Sequence, residues 1–365
     1  MSTTQTPTVT TPGRRDAAID ATRGLCIISM IAAHLSKGSV FDAVAHPIPY
    51  VDGALGFVLL SGLLIGIVQR STMARAGEGA GYRKLLRRAR LVYLGHLLLC
   101  VVAIVIGTVD ASRWGELPSR AGEGGWLSAV WRVLTLQINP AYASVLSLYV
   151  VVMLGALPLL WLLRRGRPVV AVAMAGLVYA AGVAVPGWSQ LPQRGGEVGG
   201  WSYATWFGLF AVGVIAGRYW RLEPVQRFVT SRTALVGGTV VAVAGVAAAV
   251  LLPNDGPAVR LLDKEALGPV RLAVGVAVYF ALWRALTAID AHRVGARVLA
   301  PFTLLGQRSL DSYLILSVMV ITVPSIGRLE QATATGMVAA VACVAACFGW
   351  AAVRRSRSGV RARTS

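Results

Sequence analysis

The chain has 365 residues, of which 56% are hydrophobic and only 14% are charged. A water-soluble domain of this size would precipitate with so little charge, so the composition excludes an ordinary soluble protein and predicts lipid as the solvent. The chain also holds 35 Lys and Arg against 16 Asp and Glu. In so apolar a chain this excess indicates loops that rest on anionic lipid headgroups. We therefore expect membrane lipid, and not nucleic acid, as a partner.

The two ends of the chain differ from the rest in composition. Residues 1–15 are rich in Thr and Pro and have no apolar stretch, which predicts a disordered cytoplasmic tail rather than a cleavable signal peptide. Residues 354–365 are basic and predict a second cytoplasmic tail. Residues 16–353 between them predict a single transmembrane domain. All four cysteines lie inside apolar runs, which predicts packing residues and no metal site: Cys26, Cys100, Cys343 and Cys347.

Hydropathy divides this domain into spans. A bilayer core is roughly 30 Å thick and needs about 20 apolar residues per helix. Ten segments meet that requirement: 19–36, 51–69, 91–109, 144–163, 169–186, 201–217, 234–252, 268–284, 302–323 and 333–353. The sequence therefore predicts an all-α fold, a polytopic membrane helix bundle with about ten transmembrane helices.

The distribution of Lys and Arg predicts the orientation of this bundle. With the N-terminus inside, 24 of the 35 lie in cytoplasmic segments and 9 on the opposite side. Because the positive-inside rule counts these residues near the ends of spans, the bias predicts an even number of spans with both ends cytoplasmic. We expect a multi-pass protein of the cytoplasmic membrane. In the long outer connection, residues 126–131 (WLSAVW) suit a short interfacial helix, either an anchor or a cover over a substrate cleft.

The first span carries three ionisable residues, which are costly in lipid and usually face a bundle interior. Arg23 and His34 are eleven residues apart, about three helical turns, so they project from nearly the same face at a separation of roughly 16 Å. Asp20 lies one turn before Arg23 and can hold its charge. Histidine at the outer end of such a stripe suits a general base that deprotonates a hydroxyl. The alternative is a polar residue bonded to backbone or headgroups at the helix end.

Further polar residues lie at the ends of other spans. Asp52, at the outer mouth, could orient His34 or meet a substrate hydroxyl, or it could be a solvated carboxylate. Ser61 could bond its own helix, and Gly62 with Gly66 forms a small-xxx-small packing face. Lys264 and Arg271 flank an outer Gly-Pro, and they could bind an anionic substrate group or pair locally.

The third span begins in a basic stretch, residues 83–90, that could bind the diphosphate of a nucleotide thioester such as coenzyme A. Positive-inside topology is the alternative explanation. We expect Arg90, Tyr93 and His96 to lie deeper and to share one helix face.

These motifs resemble known membrane proteins. The arginine, ten residues, histidine pattern of Arg23 and His34 and the stretch 57–62 (FVLLSG) resemble elements of the acyltransferase 3 superfamily. Further elements resemble its OpgC branch, the succinyltransferases of osmoregulated periplasmic glucans: Arg90 through His96, residues 145–149 ending in Tyr149, Pro158, Trp206 with Gly213, Lys264 through Arg271, and residues 305–310 (LGQRSL).

The resemblance implies an acyltransferase-like domain of ten helices. It implies transfer of an acyl group, with succinyl as one candidate, from cytoplasmic acyl-CoA to a hydroxyl of an extracytoplasmic glycan or glycolipid, without a permanently bound cofactor. Its catalytic residues would be His34, Arg23 and Asp20. Substrate-binding candidates are Asp52, Ser61, Arg90, Tyr93, His96, Tyr149, Trp206, Lys264 and Arg271. A direct transfer and a covalent intermediate both remain open.

Two other classes of protein compete with this interpretation. One is a carrier or flippase that moves a lipid-linked or amphipathic substrate without chemistry. Such proteins often show repeated halves, and no repeat is evident in this sequence. The other is a noncatalytic membrane scaffold, for which the shared face of Arg23 and His34 would have no purpose.

Overall fold

The structure is a computed structural model, and it describes residues 16–48, 50–109, 125–140, 143–190, 200–251, 260–326 and 332–361. Most of these residues are helical, and within them the only β pairing is an isolated bridge between Gln190 and Ser202. The helices are α1 (Ala17–Leu35), α2 (Val40–Ala45), α3 (Gly53–Ala76), α4 (Glu78–Val109), α5 (Gly125–Leu134), α6 (Ser144–Arg164), α7 (Pro168–Ala184), α8 (Tyr203–Tyr219), α9 (Glu223–Thr230), α10 (Arg232–Leu251), α11 (Pro269–Asp290), α12 (Arg293–Gln307), α13 (Ser309–Ile326) and α14 (Ala334–Arg361).

Nine of the ten predicted spans each coincide largely with one helix and one overlaps two helices, but fewer helices qualify as spans. Among the described residues, six helices are long and apolar enough to cross a membrane, and two bent helix pairs raise the number to as many as eight. Helices α7 and α8 have only 17 residues each, about 25 Å at 1.5 Å per residue. The all-α membrane fold is therefore confirmed, whereas the count of ten and the cytoplasmic placement of both ends stay predictions.

The ninth predicted span, 302–323, is not one continuous helix. Helix α12 ends at Gln307, α13 begins at Ser309, and the two are bent by 74°. Arg308 between them has φ −110° and ψ 25°, outside the α-helical region. The break places Ser309 at the start of a helix, where it lies against α1. The pair of α9 and α10 is likewise bent, by 57°.

Glycines let α3 and α8 pack closely, as the sequence predicts for Gly62 and Gly66. A Cβ atom on Gly62 would lie 2.3 Å from the Phe210 carbonyl oxygen. On the facing helix, Cβ atoms on Gly213 and Gly217 would lie 2.2 and 2.0 Å from carbonyl oxygens of α3. Such distances exclude any side chain larger than hydrogen, so the two backbones meet directly. The predicted packing role is confirmed.

Helix α1 lies in the centre of the bundle, in contact with α3, α11, α12, α13 and α14. It crosses α12 closely, because a Cβ atom on Gly306 would lie 1.8 Å from the Asp20 carbonyl oxygen. Most of its residues are buried, including Asp20 and Arg23. The polar residues of α1 therefore face protein rather than lipid, as functional groups in a membrane helix usually do.

The predicted interfacial helix is present as α5. Its large apolar side chains are exposed on one side, with Trp126 and Trp131 each 64% exposed and Leu127 84%. Its C-terminal end is tied to α4, where the Tyr93 hydroxyl donates to the Leu134 carbonyl oxygen at 2.8 Å. An apolar face that turns away from the protein suits an interfacial anchor better than a cover over a cleft. The four cysteines are buried and unpaired by disulfides, as packing residues would be.

Candidate functional site

The site is built around the two ends of α1. The Asp16 side chain caps the helix by accepting from the Ile19 N–H at 3.1 Å, and its other oxygen accepts from the Trp283 indole at 3.3 Å. This cap fixes the start of the helix and thereby the direction in which later residues project. Arg23 is 5% exposed, while His34 is half-buried in the last turn. The polar stripe along α1 thus begins at the buried Arg23 and ends at the partly accessible His34.

Arg23 contacts groups from two other helices. Its guanidinium donates to the Ser309 hydroxyl at the start of α13, and its Cζ lies 5.5 Å from the Phe57 ring centroid. The charge of Asp20 also acts on it, as the sequence predicts. Ser309 belongs to the stretch 305–310 that carries the family resemblance, and the contact gives that stretch a physical role: it places a hydroxyl against the buried guanidinium.

A narrow cavity shares the Phe57 ring with Arg23, which does not itself line it. Its walls come from α3, α4, α6 and α13: Phe57, Arg88, Val92, Val145, Leu146, Tyr149, Leu310 and Tyr313. The Phe57 ring packs edge-on against Tyr149 at 5.4 Å and stacks with Tyr313 at 6.3 Å. Aromatic walls with one guanidinium are a composition found at ligand sites. The free volume of about 10 Å³ holds only one water-sized molecule, so a larger ligand would have to displace these side chains.

Two buried hydroxyl groups near this cavity lie close to each other. Tyr149 is 5% exposed and Ser61 is 2% exposed, and neither hydroxyl oxygen has a hydrogen bond of full geometry within the described part of the chain. Buried polar atoms are nearly always satisfied, so an orphaned pair needs an explanation. A bound ligand with a carbonyl or phosphate oxygen would supply the missing acceptor. These two predicted substrate-binding residues are therefore brought together.

The structure separates Arg90 from the cavity. Arg90 is exposed, whereas His96 is fully buried, so the two do not share the face that we expected. Their separation of six residues turns the helix by about 240°, which places them on different sides. Arg88, which the sequence analysis did not select, reaches the cavity wall instead. Its side chain is exposed like that of Arg90, but it lies four residues before the buried Val92 and so borders the same cavity.

Tyr93 and His96 bond to backbone carbonyls at the outer part of α4. The Tyr93 contact to α5 is described above, and His96 Nδ1 lies 3.3 Å from the Ala143 carbonyl oxygen. The other ring nitrogen of His96 lies 3.5 Å from Cys100 Sγ. These contacts tie α4 to the residues that precede α6. The structure therefore shows packing contacts for Tyr93 and His96, and their predicted substrate contacts stay predictions.

A second polar cluster surrounds Asp52, just before the α3 span. One carboxylate oxygen accepts from the Leu55 N–H at 2.9 Å and caps the helix. The other lies 2.8 Å from Arg271 Nη2 and 3.8 Å from Lys264 Nζ. Both partners of the Asp52–Arg271 pair are 7% exposed. The sequence alternatives are thereby decided for Asp52, which is a buried, paired carboxylate rather than a solvated one.

The electrostatics of this cluster follow from its contacts. Burial alone would raise the pKa of the Asp52 carboxyl. The charges of Lys264 and Arg271, together with hydrogen bonds to the carboxylate, outweigh burial and hold that pKa below its ordinary value. Asp52 and Lys264 also act electrostatically on the His34 imidazole. Four predicted residues are thus brought together: His34, Asp52, Lys264 and Arg271.

Trp206 is a buried support for this cluster. It is 0% exposed, and its indole N–H donates to the Glu265 carbonyl oxygen at 3.1 Å. Its ring packs against Trp201, with centroids 4.6 Å apart and planes at 78°. Trp201 is half-buried, and Lys264 Nζ lies 5.9 Å from its ring centroid. The accessible aromatic side chain at this end is therefore Trp201, which the sequence analysis did not select.

Comparison with known proteins adds one finding to this geometry. The profile of one protein family, described as OpgC protein, matches residues 15–358. The chain belongs to the OpgC family. The match includes both polar clusters and every described helix up to α14, and it confirms the OpgC part of the resemblance. Membership of the wider acyltransferase 3 superfamily stays a prediction. No curated protein and no solved structure matches the chain.

Within this OpgC family member, the two clusters lie at opposite parts of α1. Asp52 and Lys264 act on His34 in the last turn, while Arg23 lies three turns earlier beside the aromatic cavity. Both clusters are assembled from residues far apart in sequence. The contact between Arg23 and Ser309 joins residues 286 positions apart, and that between Asp52 and Arg271 joins residues 219 positions apart.

Proposed function

We propose that this chain is an integral O-acyltransferase of the cytoplasmic membrane. It would move an acyl group, with succinyl as the first candidate, from cytoplasmic acyl-CoA to a hydroxyl of an extracytoplasmic glycan or glycolipid. Membership of the OpgC family supports a membrane transferase. The observation that carries the proposal is the half-buried His34 beside Asp52 and Lys264, joined along α1 to the buried Arg23 and its aromatic cavity.

The proposed reaction needs one base and one positioned donor. His34 takes the proton from the acceptor hydroxyl, and the hydroxyl oxygen bonds to the thioester carbonyl carbon. The carbon–sulfur bond then breaks, and the proton passes from His34 to the departing thiolate. Burial and the charge of Lys264 keep the free imidazole neutral and ready to accept a proton, while the negative charge of Asp52 offsets part of their effect on the imidazolium that forms in between.

The donor side of this proposal rests on the cavity. Arg23 and Arg88 supply positive charge, and the buried hydroxyls of Tyr149 and Ser61 supply donors for oxygens of the pantetheine arm, which must extend along α1 for the thioester to reach His34. Ser61 has no hydrogen-bonded base beside it, and a hydroxyl nucleophile requires one. This favours direct transfer to the acceptor over an acyl-Ser61 intermediate. Acyl-CoA is thus proposed as a substrate and no bound cofactor is needed.

A carrier that moves its substrate without chemistry is the second candidate. The two bent helix pairs, at 57° and 74°, favour it, because broken helices often form the binding sites of transporters. Arg23 would then hold an anionic part of the cargo beside the break at Arg308. The two functions differ in whether a covalent bond forms, and a measurement of product mass separates them.

The first experiment compares cells with and without the gene for this chain. We expect mass spectrometry of their surface glycans and glycolipids to show an ester-linked acyl group that disappears on deletion and returns when the wild-type gene is restored. Mild alkali should remove the same mass, as it does for esters. If deletion changes the amount or location of a glycan and removes no acyl mass, the carrier is supported and the acyltransferase is not.

The contrast between Arg88 and Arg90 tests the donor site. Arg88→Ala should raise the KM for acyl-CoA roughly tenfold or more, because a charge-assisted hydrogen bond contributes about 1.5–3 kcal/mol. Arg90→Ala is the matched control on the same helix. Both side chains are exposed, but Arg90 does not line the cavity, so its KM should stay near that of the wild type. Initial rates at varied acyl-CoA in open membrane vesicles give both values. A larger effect of Arg90→Ala than of Arg88→Ala would contradict a donor site at the cavity and would place it on the exposed side of the basic stretch, residues 83–90.

A further inference from the structure

We propose that Trp201 and Lys264 form the acceptor subsite, in which the Trp201 ring stacks against a sugar ring and Lys264 donates to its hydroxyl oxygens. This inference rests on the proposed function and deepens it by naming a carbohydrate as the part of the acceptor that is bound. The subsite lies next to His34, because Lys264 and Asp52 both act on that imidazole.

The backbone around this subsite is held in place by α8. Residues 263–268 form a turn in which the Ala266 N–H donates to the Asp263 carboxylate at 2.6 Å and the Gly268 N–H to the Asp263 carbonyl oxygen at 3.0 Å. The Glu265 carbonyl oxygen accepts from the Ser202 N–H at 3.1 Å and from the Trp206 indole at 3.1 Å. Because Trp201 and Lys264 adjoin these bonded residues, their positions are fixed before a ligand arrives, which reduces the entropic cost of binding.

The Trp201 ring is oriented but not covered. Trp206, which is fully buried, packs against it nearly perpendicularly at 4.6 Å, an arrangement that aromatic pairs prefer. Trp201 itself keeps part of its surface accessible. An indole presents a large apolar face at little conformational cost. The apolar C–H face of a pyranose ring matches such a surface, while its hydroxyl groups remain at the edge for polar contacts.

Lys264 supplies the polar contact at that edge. Its side chain is 50% exposed, and its distance of 3.8 Å from the Asp52 carboxylate is too long for a hydrogen bond. The three N–H donors of its ammonium group are therefore available to hydroxyl oxygens. Asp52 is not available in the same way, because its two oxygens already accept from Leu55 and Arg271. Asp52 therefore acts as a positioning residue that holds Lys264 close to His34.

The test uses the full-length protein in lipid nanodiscs with cellohexaose and laminarihexaose as probes. Binding is measured by calorimetry without acyl-CoA, and transfer is then measured with succinyl-CoA. Trp201→Ala should weaken oligosaccharide binding about tenfold, the loss expected for one aromatic stacking contact, and should raise the acceptor KM more than it lowers kcat. Trp201→Phe should recover most of the binding. Trp188→Ala is the control, since Trp188 is 50% exposed and also packs edge-on against a tyrosine, Tyr203.

The two measurements keep the inference separate from the proposed function. Weaker binding by Trp201→Ala, with normal binding by Trp188→Ala, supports the subsite even if no transfer occurs in the wild type. Equal binding by the wild type and Trp201→Ala, including binding by neither, overturns the subsite. Transfer that persists unchanged in Trp201→Ala also overturns it and leaves the acyltransferase proposal standing.

Discussion

His34→Ala is expected to stop acyl transfer while the protein remains folded. A positioned general base contributes roughly 10²- to 10⁴-fold to a reaction of this kind, so kcat should fall by that factor. The KM for acyl-CoA should change little, because the donor cavity lies three helical turns away, around Tyr149 and Arg88. Initial rates of transfer from labelled acyl-CoA, together with thermal unfolding of the same preparation, measure both effects.

The half-burial of His34 makes this variant informative. Truncation of a residue in the last turn of α1 leaves no large cavity, so a loss of stability is not expected to confuse the result. His292→Ala is the control, since His292 is exposed and belongs to the turn between α11 and α12. Transfer by His34→Ala at the wild-type rate would remove the general-base role and would favour the carrier or scaffold interpretations.

Sequence periodicity and charge were sufficient to predict the helical membrane fold. Apolar runs of about 20 residues are a direct consequence of bilayer thickness, and each such run is helical in the structure. The same argument could not find the break at Arg308, because residues on both sides of it are apolar and only its backbone conformation separates the helices. It also overestimated α7, where helix ends at Ala184 and a short 3₁₀ segment begins at Pro186.

The site could be predicted where its residues share one helix. Arg23 and His34 follow from helical geometry alone, since eleven residues complete about three turns. The partners of Asp52 required the fold, because Arg271 is 219 positions away and several arginines were equally plausible from the sequence. Ser309 was predictable only in part. The sequence pointed to the stretch 305–310 that contains it, but only the structure shows that its hydroxyl accepts from Arg23.

Arg88 and Trp201 show why some functional candidates escape sequence analysis. Arg88 belongs to the basic stretch, residues 83–90, whose arginines and lysine all satisfy the positive-inside rule. Composition therefore does not distinguish the arginine that lines the cavity from the others. Trp201 lies close to Trp206, and either could be the accessible ring. The structure distinguishes them by exposure, with Trp206 fully buried and Trp201 half-buried.

The Asp52–Arg271 pair should control stability more than any other polar contact at the site. Arg271→Gln leaves the Asp52 carboxylate buried without its closest cation, and loss of one partner of a buried pair costs about 3–5 kcal/mol. Lys264, at 3.8 Å, offsets part of that cost. Adding Asp52→Asn to Arg271→Gln should recover much of the stability, because the second change removes the uncompensated charge. Chemical unfolding of the purified variants in detergent measures both free energies.

The pH dependence follows from the direction of the Asp52 pKa. Because the folded-state pKa lies below the ordinary value, the pair stabilises the protein at any pH above that ordinary value and loses its contribution as the pH falls through the folded-state pKa. In Arg271→Gln the buried Asp52 carboxyl has a higher pKa than in the wild type, because burial is then opposed by less positive charge. The difference in stability should therefore shrink as the pH falls, beginning where Asp52 of the variant takes up a proton. A difference that shrinks as the pH rises through neutrality would contradict the assignment of the charge to Asp52.

An exposed ion pair provides the control for this experiment. Arg227 and Glu223 are 77% and 68% exposed and lie one turn apart on α9, so Arg227→Gln should change the free energy of unfolding by less than about 1 kcal/mol. Equal effects of Arg271→Gln and Arg227→Gln would mean that water reaches Asp52 freely. In that case Asp52 could not hold Lys264 beside His34, and the acceptor subsite would lose the contact that joins it to the proposed base.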